Sequence, residues 1–293
     1  MSCLKPQFHE MRVTPLKTGT QLSFDLLAGA LTGRDAARAT GTLHVLGNPG
    51  GIVHLHDGGI TCIESAGAPG TDALLLRTGR LSESEWTSAL TTGTLGTLGE
   101  TELHVVTMMA THDAAFSIVA GDVEECSFTP QVLDAPVTMT AAIDPVDLLQ
   151  ETSRRITSLQ ALEHPLCPHR ERLAAARAAT VRDLGPVRGE IVAHATGRRT
   201  TRDIAFAAGR SVYPVTVEAC RMVADGLLTV VPGTSAVVRG PQPAIPLRPR
   251  RPPPPSPVPG PPADDDGDDV PLPRSLRHQL LPKLFKQPER KKP

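Results

Sequence analysis

The chain has few aromatic residues, no paired cysteines and no long apolar run. One Trp, one Tyr and six Phe in 293 residues mean that a core must be built mainly from Leu, Val, Ile and Ala. The five cysteines are dispersed without a CxxC pair, which excludes a disulfide framework and suits a reducing compartment. No apolar run approaches the roughly 18 residues that span a bilayer, and the N-terminus lacks an apolar signal region. The sequence therefore predicts a soluble, cytoplasmic protein with no stable membrane insertion.

Catalytic signatures are also absent. The chain contains no GxSxG, HExxH or P-loop sequence, and no GxGxxG that follows a strand. The glycines of TTGTLGTLGE (91–100) are typical of turns or a linker, because no Lys-Ser/Thr pair follows them to hold a phosphate. We expect no enzyme activity, no catalytic residue and no cofactor.

Charge divides the chain into an acidic front and a basic back. Residues 1–163 carry 9 Lys and Arg against 19 Asp and Glu. Residues 164–240 carry 11 Arg and no Lys against 6 acids, and residues 241–293 carry 10 basic residues against 6 acids. This asymmetry suggests different partners for the two ends.

The front part alternates strand-like and helix-like segments. GTLHVLG (41–47), GGIVHLH (50–56) and GGITCIES (58–65) are predicted strands, and a short helix should begin near Thr71 and stop at Gly79. Ser82 and Glu85 have the spacing of a capping box that opens a second helix. The segment 101–128 is ambiguous and could mix strand, helix and strand.

A connecting helix is predicted where Asp144 precedes Pro145, because proline favours the first helical position. One apolar face follows at three- and four-residue steps and makes this helix a candidate dimer interface: Leu149, Thr152, Ile156 and Leu159.

The back part predicts short helices followed by a hairpin. Thr200 or Thr201 can cap the third helix, and LLTVVPGTSAVVR (227–239) has two β-branched runs around a turn. Three short helices before a hairpin is the order of a winged helix. The helical stretches are about 170–182, 187–196, 200–208 and 213–225, with stops at Gly197, Gly209 and Gly226.

Histidine and cysteine cluster at two places, and a metal site is conceivable at each. Asp57-Gly58-Gly59 is a turn signal. A two-residue loop there puts Cys62 on the face of Val53 and Leu55, whereas a three-residue loop puts it opposite His54. Since no partner lies at a standard zinc spacing, we favour a hairpin with solvent-facing His54 and His56, and no metal.

The second cluster, EHPLCPHRE (163–171), holds His164, Cys167 and His169. Two prolines make it a loop that enters a helix, and its spacing matches no standard zinc pattern, so a loop without metal is again favoured.

Two family resemblances suggest regulation. GTLHVLGNPGGIVHLHDGGITCIESAGAPGTDALLLRTGRLSESEW resembles the PatA-like N-terminal domain, a bacterial domain of unknown function found in signalling proteins. The match spans about residues 20–95 and requires no histidine at positions 54 and 56. The residues that match its glycine, strand and helix positions are Gly41, Gly51, Gly58, Gly59, Ile60, Ala73 and Leu74.

TGRRTTRDIAFAAGRSVYPVTVEACRMVADGLLTVV resembles the winged-helix segment attached to such domains and is loosely similar to MarR-type transcription factors. We therefore expect a DNA-binding regulator with a recognition helix at about 213–225, and the resemblance implies that it forms a homodimer. Arginines neutralise phosphates and can also bind guanine edges. The candidate DNA-binding residues are Arg198, Arg199, Arg202, Arg210, Tyr213, Thr216, Arg221 and Arg239.

A signalling adaptor that binds proteins and not DNA is the alternative. The acidic front supports it, as does PRRPPPPSPVPGPP, whose PxxP spacings could dock in an aromatic groove. The segment from Pro241 is predicted to be disordered. Its basic end, Arg274–Lys292, could be a nucleic-acid clamp, an anionic-membrane contact or, as we favour, a solubilising tail.

The predicted organisation is α+β with a winged helix. It has an N-terminal extension (1–19), a PatA-like sensing or dimerisation domain (20–143), a connecting helix (144–163), a winged-helix domain (164–240) and a Pro-rich tail (241–293).

Overall fold

The structure is a computed structural model, and it describes residues 16–33, 38–92, 98–130, 137, 141–176 and 184–231. All of them fall within one of the two units into which the chain divides. The predicted α+β class is confirmed, because helices and antiparallel sheets both occur. The predicted Pro-rich tail lies outside the described residues.

The described helices are α1 (Leu16–Thr32), α2 (Thr71–Arg77), α3 (Glu83–Thr92), α4 (Glu100–Ala120), α5 (Pro145–Gln160), α6 (Pro186–His194), α7 (Thr201–Ala208) and α8 (Val212–Ala224). The described strands are β1 (Gly41–Asn48), β2 (Gly51–His56), β3 (Gly59–Ser65), β4 (Asp122–Thr129), β5 (Arg172–Ala175), β6 (Thr196–Thr200) and β7 (Leu228–Val231).

The first sheet is antiparallel and has the order β3-β2-β1-β4. Its first three strands are the ones predicted from the sequence. One face of the sheet is apolar and packs against α4, because alternate residues of a strand point to the same side. The buried residues of this core face are Leu43, Val45, Val53, Leu55, Ile60 and Ile63.

The turn between β2 and β3 has two residues. Asp57 and Gly58 have φ values of 49° and 81°, and His56 pairs directly with Gly59. Positive φ at both positions matches the twist of a tight hairpin, which explains the Asp-Gly sequence.

A bulge then changes the register of this hairpin. From a two-residue loop alone, Cys62 was expected on the Val53 side of the sheet. The structure instead pairs Cys62 with His54, because the register shifts and leaves Thr61 as an extra residue. The consequence is that Cys62 and His54 share the sheet face opposite to the core.

The ambiguous segment 101–128 is one long helix and one strand. α4 has apolar residues on nearly all sides, so its sequence lacks the one-sided stripe that marks an amphipathic helix. A helix of this type is stable only when it is buried, and the second half of α4 is central to the core. Its buried apolar residues include Ala114, Ala115, Phe116, Ile118 and Val119.

Among the described residues, α4 is the one helix long and apolar enough to cross a membrane by length and composition. However, 61% of its apolar window is buried inside the protein, against α1, α5, α8 and the first sheet. Core helices of soluble proteins have the same properties, and the structure is consistent with the predicted soluble chain.

Local capping signals are confirmed in the front part. The backbone N–H of Ser82 donates to the Glu85 carboxylate at 2.8 Å, and the backbone N–H of Glu85 donates to the Ser82 hydroxyl at 3.2 Å. The short helix α2 begins at Thr71, and Gly79 beyond its end has a φ of 69°.

The connecting helix α5 begins as predicted. Asp144 is its N-cap, accepting the Val146 N–H at 2.7 Å, and Pro145 occupies the first turn. The predicted apolar face packs against α4 within the same chain. The stripe that made this helix a candidate dimer interface is therefore already covered.

Three helices occur in the described residues of the back part, but its first predicted helix is wrong where the structure describes it. Residues 172–175 form β5, which pairs with both β6 and β7. The alanine-rich sequence favours a helix, but pairing on both sides overrides that local preference. Of the predicted hairpin at 227–239, only its first strand lies within the described residues, as β7.

Capping residues set the ends of these helices. Thr200 caps α7 in a reciprocal capping box with Asp203, and Gly209 ends the helix with a φ of 63°. Gly226, with a φ of 70°, follows α8. The predicted end of α6 at 196 is two residues late, since the helix stops at His194 and Gly197 lies inside β6.

Candidate functional site

The helix assigned to DNA reading, α8, has little exposed surface. α4 packs against it, and α6, α7 and β7 pack against other sides. Its exposed residues are Pro214, Arg221 and Ala224. Its buried residues are Val212, Val215, Thr216, Ala219, Cys220 and Met222.

Two of the candidate base-reading residues face the interior. Thr216 is fully buried and its hydroxyl lies 2.9 Å from the hydroxyl of Thr201, so it has no surface to offer a base. The Tyr213 ring packs edge-on against Phe116, with centroids 5.1 Å apart and an angle of 73°. Thr216 is therefore not available to a DNA groove, and the half-buried Tyr213 uses its ring for a contact inside the protein.

Three of the candidate arginines have partners within the chain: two that were assigned to phosphates, Arg202 and Arg210, and one that was assigned to the groove, Arg221. Arg202 donates from Nε to the backbone oxygen of Ala66 at 2.9 Å. Arg210 pairs with Glu190 at 2.6 Å, and Arg221 pairs with Glu218 at 3.3 Å.

Two further candidate arginines lie on β6. Nη1 of Arg199 lies 2.9 Å from Nδ1 of His194, whereas Arg198 is exposed on the strand. Arg239 lies outside the described residues. The structure therefore does not gather the predicted DNA-binding residues into one exposed surface among those it describes.

The contact between α4 and α8 is centred on a buried carboxylate that the sequence analysis did not select. We call Asp113, Phe116, Arg155 and Tyr213 the α4–α8 junction. Asp113 is 1% exposed and accepts the backbone N–H groups of Val212 and Tyr213, the latter at 2.9 Å. Because the N-cap residue of α8 makes no side-chain capping bond, Asp113 caps this helix from another one.

Charge at the junction is only partly balanced. Burial raises the pKa of Asp113 to about 6, although both backbone N–H groups and Arg155 act in the opposite direction. Arg155 lies 3.9 Å from Asp113, sits 5.1 Å from the centre of the Tyr213 ring and donates to Glu151 at 2.7 Å. Arg155 of α5 therefore contacts a carboxylate of α4 and the aromatic ring of α8, and in this way links three helices.

The predicted loop 163–171 docks onto the end of α4. Nε2 of His169 lies 2.9 Å from the carbonyl oxygen of Ser117, and Sγ of Cys167 lies 3.5 Å from that of Ala120. Carbonyls in the last turn of a helix lack intrahelical donors, so these side chains satisfy them. Burial lowers the pKa of His169, which keeps the ring neutral in this contact.

No group of three or more His, Cys, Asp or Glu side chains that could hold a metal ion occurs within the described part of the chain. In the opening hairpin, His56 is exposed as predicted, but His54 is only 5% exposed. The prediction of a solvent-facing His54 is wrong, because the sheet face that it shares with its cross-strand neighbours Thr42 and Cys62 is itself buried at this point.

His54 is an unusual buried group. Neither of its ring nitrogens has a hydrogen-bond partner, and Nε2 lies 3.9 Å from the Glu64 carboxylate, beyond hydrogen-bonding distance. A buried polar atom without a hydrogen-bond partner lowers the stability of the folded state by roughly 1–3 kcal/mol, so His54 is an unfavourable residue at this position.

A cleft of about 820 Å³ opens on the face of the first sheet that is opposite to the core. We call it the outer cleft. Its walls come from β1, β2 and β3, from α2, and from Trp86 and Phe206 on α3 and α7. The polar side chains on its lining include His44, Cys62, Glu64, Asp72 and Arg202. Burial, Glu64 and Asp72 raise the pKa of the Cys62 thiol to about 12, so this cysteine stays protonated.

Sequence reasoning missed the junction and the cleft because both depend on distant segments. A lone Asp within the apolar run MMATHDAAFSIV was the available signal for Asp113, since a buried acid requires a partner. No family model, curated protein or solved structure matched this chain in the comparisons with known proteins. The PatA-like and winged-helix resemblances therefore stay predictions.

Proposed function

We propose that this chain is a non-enzymatic regulatory protein of the cytoplasm that acts by binding another protein. The observation that supports this proposal is the burial of α8, whose N-terminus is capped by Asp113. A groove-reading helix needs an exposed polar face, and α8 has one exposed Arg, already paired with Glu218. The α6–α8 segment then serves as a structural and protein-contact module.

The cysteines are compatible with the proposed compartment. The four that the structure describes, Cys62, Cys126, Cys167 and Cys220, are free thiols. Free, mostly buried thiols are usual in a reducing compartment.

DNA binding is the second candidate function, and exposed arginines on the second sheet support it. Arg172 on β5 and Arg198 on β6 are exposed, and no ion pair within the described ranges engages them. Cations of this kind can contact phosphates without any contribution from α8. Homodimerisation is compatible with either function.

A selection experiment on the full chain distinguishes these functions. The purified protein is mixed with a pool of random duplex DNA at low salt and at near-physiological salt. We expect weak, salt-sensitive retention and no enriched sequence, because nonspecific phosphate contacts fall steeply with salt.

Variants at the β6 arginines provide the control. Arg198→Gln with Arg199→Gln should change retention at near-physiological salt by less than about twofold if proteins are the targets. Enrichment of one sequence that these substitutions abolish would overturn the protein-binding proposal. So would a pull-down from lysate that yields DNA and no stoichiometric protein.

A further inference from the structure

One side of the first half of α4 is exposed and carries no Asp, Glu, Lys or Arg. Val105 is 41% exposed, and Met109, one turn further along, is 48% exposed. The exposed side of a surface helix usually carries charged residues, so this side differs from an ordinary solvated face. We call it the open α4 face, and its residues are Thr101, His104, Val105, Met108, Met109 and His112.

The same side of α4 is buried further along the helix. Residues seven positions apart lie on nearly the same side of an α-helix. At this spacing Phe116 follows Met109, and Val119 follows His112, and both Phe116 and Val119 are fully buried. Phe116 packs against Tyr213 of α8. The chain therefore covers the second half of this stripe within its own core and leaves the first half exposed.

The open α4 face can lie against a copy of itself without electrostatic repulsion. In a two-fold symmetric contact the same surface patch meets itself, so any charge on the patch is brought close to the same charge on the partner. The open α4 face has no acid, lysine or arginine. Burial and the nearby Arg155 lower the pKa of His112, which keeps this ring neutral.

The N-terminal end of the open α4 face has a surplus negative charge. Glu100 is exposed at the start of α4. Glu102 follows it and pairs with Arg80 at 3.2 Å. Two acids against one arginine leave this end with one negative charge.

The C-terminal end of the open α4 face has a surplus positive charge at the surface. Arg155 of α5 lies there, because it is 3.9 Å from Asp113, which follows His112 in α4. Arg154, the residue before it, is 61% exposed. Glu151 accepts hydrogen bonds from both arginines, and Asp113 is buried. Two arginines against one surface acid leave this end with one positive charge.

We infer that the open α4 face is covered by the same face of a second copy of this chain, with the two α4 helices antiparallel. In this arrangement the acidic end of each face lies beside the arginine-rich end of the other, so the charges are complementary. The interface is then on α4 and not on α5, whose apolar stripe is covered within the chain. This inference goes beyond the proposed function and holds whether the regulatory partner is protein or DNA.

The size of the open α4 face limits the affinity of the dimer. At the helical rise of about 1.5 Å per residue, the stretch from Thr101 to His112 is about 18 Å long. A contact of this length buries less than the roughly 800 Å² per partner of a standard interface. We therefore expect a dissociation constant of roughly 10–100 µM. Sedimentation equilibrium of the full chain, from about 5 to 500 µM, should show a monomer–dimer equilibrium.

Val105→Glu tests whether the dimer forms through the open α4 face. It places a charge within the face of both copies and should weaken dimerisation by at least about tenfold. Val187→Glu is the matched control, because it makes the same change on α6 at a valine that is 37% exposed. The control should change the dissociation constant by less than about twofold. Circular dichroism checks that each variant is folded.

A charge exchange tests the antiparallel arrangement. At low salt, where surface charges are least screened, Arg154→Glu should weaken the dimer by roughly threefold or more. Adding Glu100→Arg to the same chain should restore the affinity, because the two ends are again complementary. A double variant that binds no tighter than Arg154→Glu overturns the antiparallel arrangement.

Two results overturn the dimer itself. If the full chain stays monomeric up to about 500 µM, a different partner covers the open α4 face. If a dimer forms but Val105→Glu weakens it no more than Val187→Glu does, the two copies meet through another surface.

Discussion

Phe116→Ala is expected to lower the free energy of unfolding by about 3–5 kcal/mol. The Phe116 side chain is fully buried in α4 and packs edge-on against Tyr213, so its removal leaves a cavity and breaks an aromatic pair. Small proteins are stable by only about 5–15 kcal/mol, so this one substitution should remove a large fraction of the stability.

Phe128→Ala is the matched control, because it makes the same chemical change on β4 at a side chain that is 38% exposed. Urea denaturation of both variants, followed by circular dichroism, should separate them by at least about 2 kcal/mol. If both substitutions lower the free energy of unfolding equally, the packing of Phe116 at the junction does not stabilise the protein, contrary to what the structure indicates.

Helix caps, helix ends and tight turns could be predicted from the sequence, because the residues that determine them are neighbours in the chain. The capping box of Ser82 and Glu85, the Asp144-Pro145 start of α5 and the Gly209 stop of α7 all depend on residues within one turn. The Asp57-Gly58 turn is similar, because positive φ requires specific residue types at specific positions. Such signals keep their meaning whatever the rest of the chain does.

Features that depend on remote contacts could not be predicted. β5 is a strand because β6 and β7 flank it, although its own sequence favours a helix. Cys62 faces His54 because of a bulge that loop length alone does not reveal. α4 is surrounded by the chain, so no single polar face marked it as a helix.

The candidate site illustrates the same limit. The arginine surplus of the back part suggested a DNA-binding surface, but counting charges does not show which of them are already paired. Arg202 and Arg210 are engaged within the chain. Conversely, the charge balance gave no sign that Asp113 matters, because it counts as one acid among many. Asp113 nevertheless caps α8 by accepting the N–H of Val212, which lies 99 residues later in the chain.

Asp113 should make the protein less stable as the pH rises, which is opposite to the effect of an ordinary salt-bridged acid. Burial raises the pKa of Asp113 to about 6 from an ordinary value of 3.8. The folded state therefore binds a proton more readily than the unfolded state between these pH values. Stability from this group is fully present below about pH 4 and is lost as the pH rises through about 6.

Asp113→Asn removes this titration, so the difference in unfolding free energy between wild type and variant is the quantity to measure. From pH 4 to pH 7 the wild type should lose about 3 kcal/mol relative to Asp113→Asn, which follows from a shift of about two pKa units. Glu151, whose pKa is lowered to about 2 chiefly by its hydrogen bond from Arg154, is common to both proteins and cancels in the difference.

Asp147→Asn, at an exposed carboxylate in the first turn of α5, provides the control for loss of a negative charge. The difference in unfolding free energy between this variant and wild type should change by no more than about 0.5 kcal/mol over the same pH range. If the difference in unfolding free energy between wild type and Asp113→Asn is also independent of pH, then water or Arg155 compensates fully for the burial of the charged carboxylate. The opposite slope would mean that the two backbone N–H groups of α8 outweigh the cost of burial, so that the junction favours the charged acid.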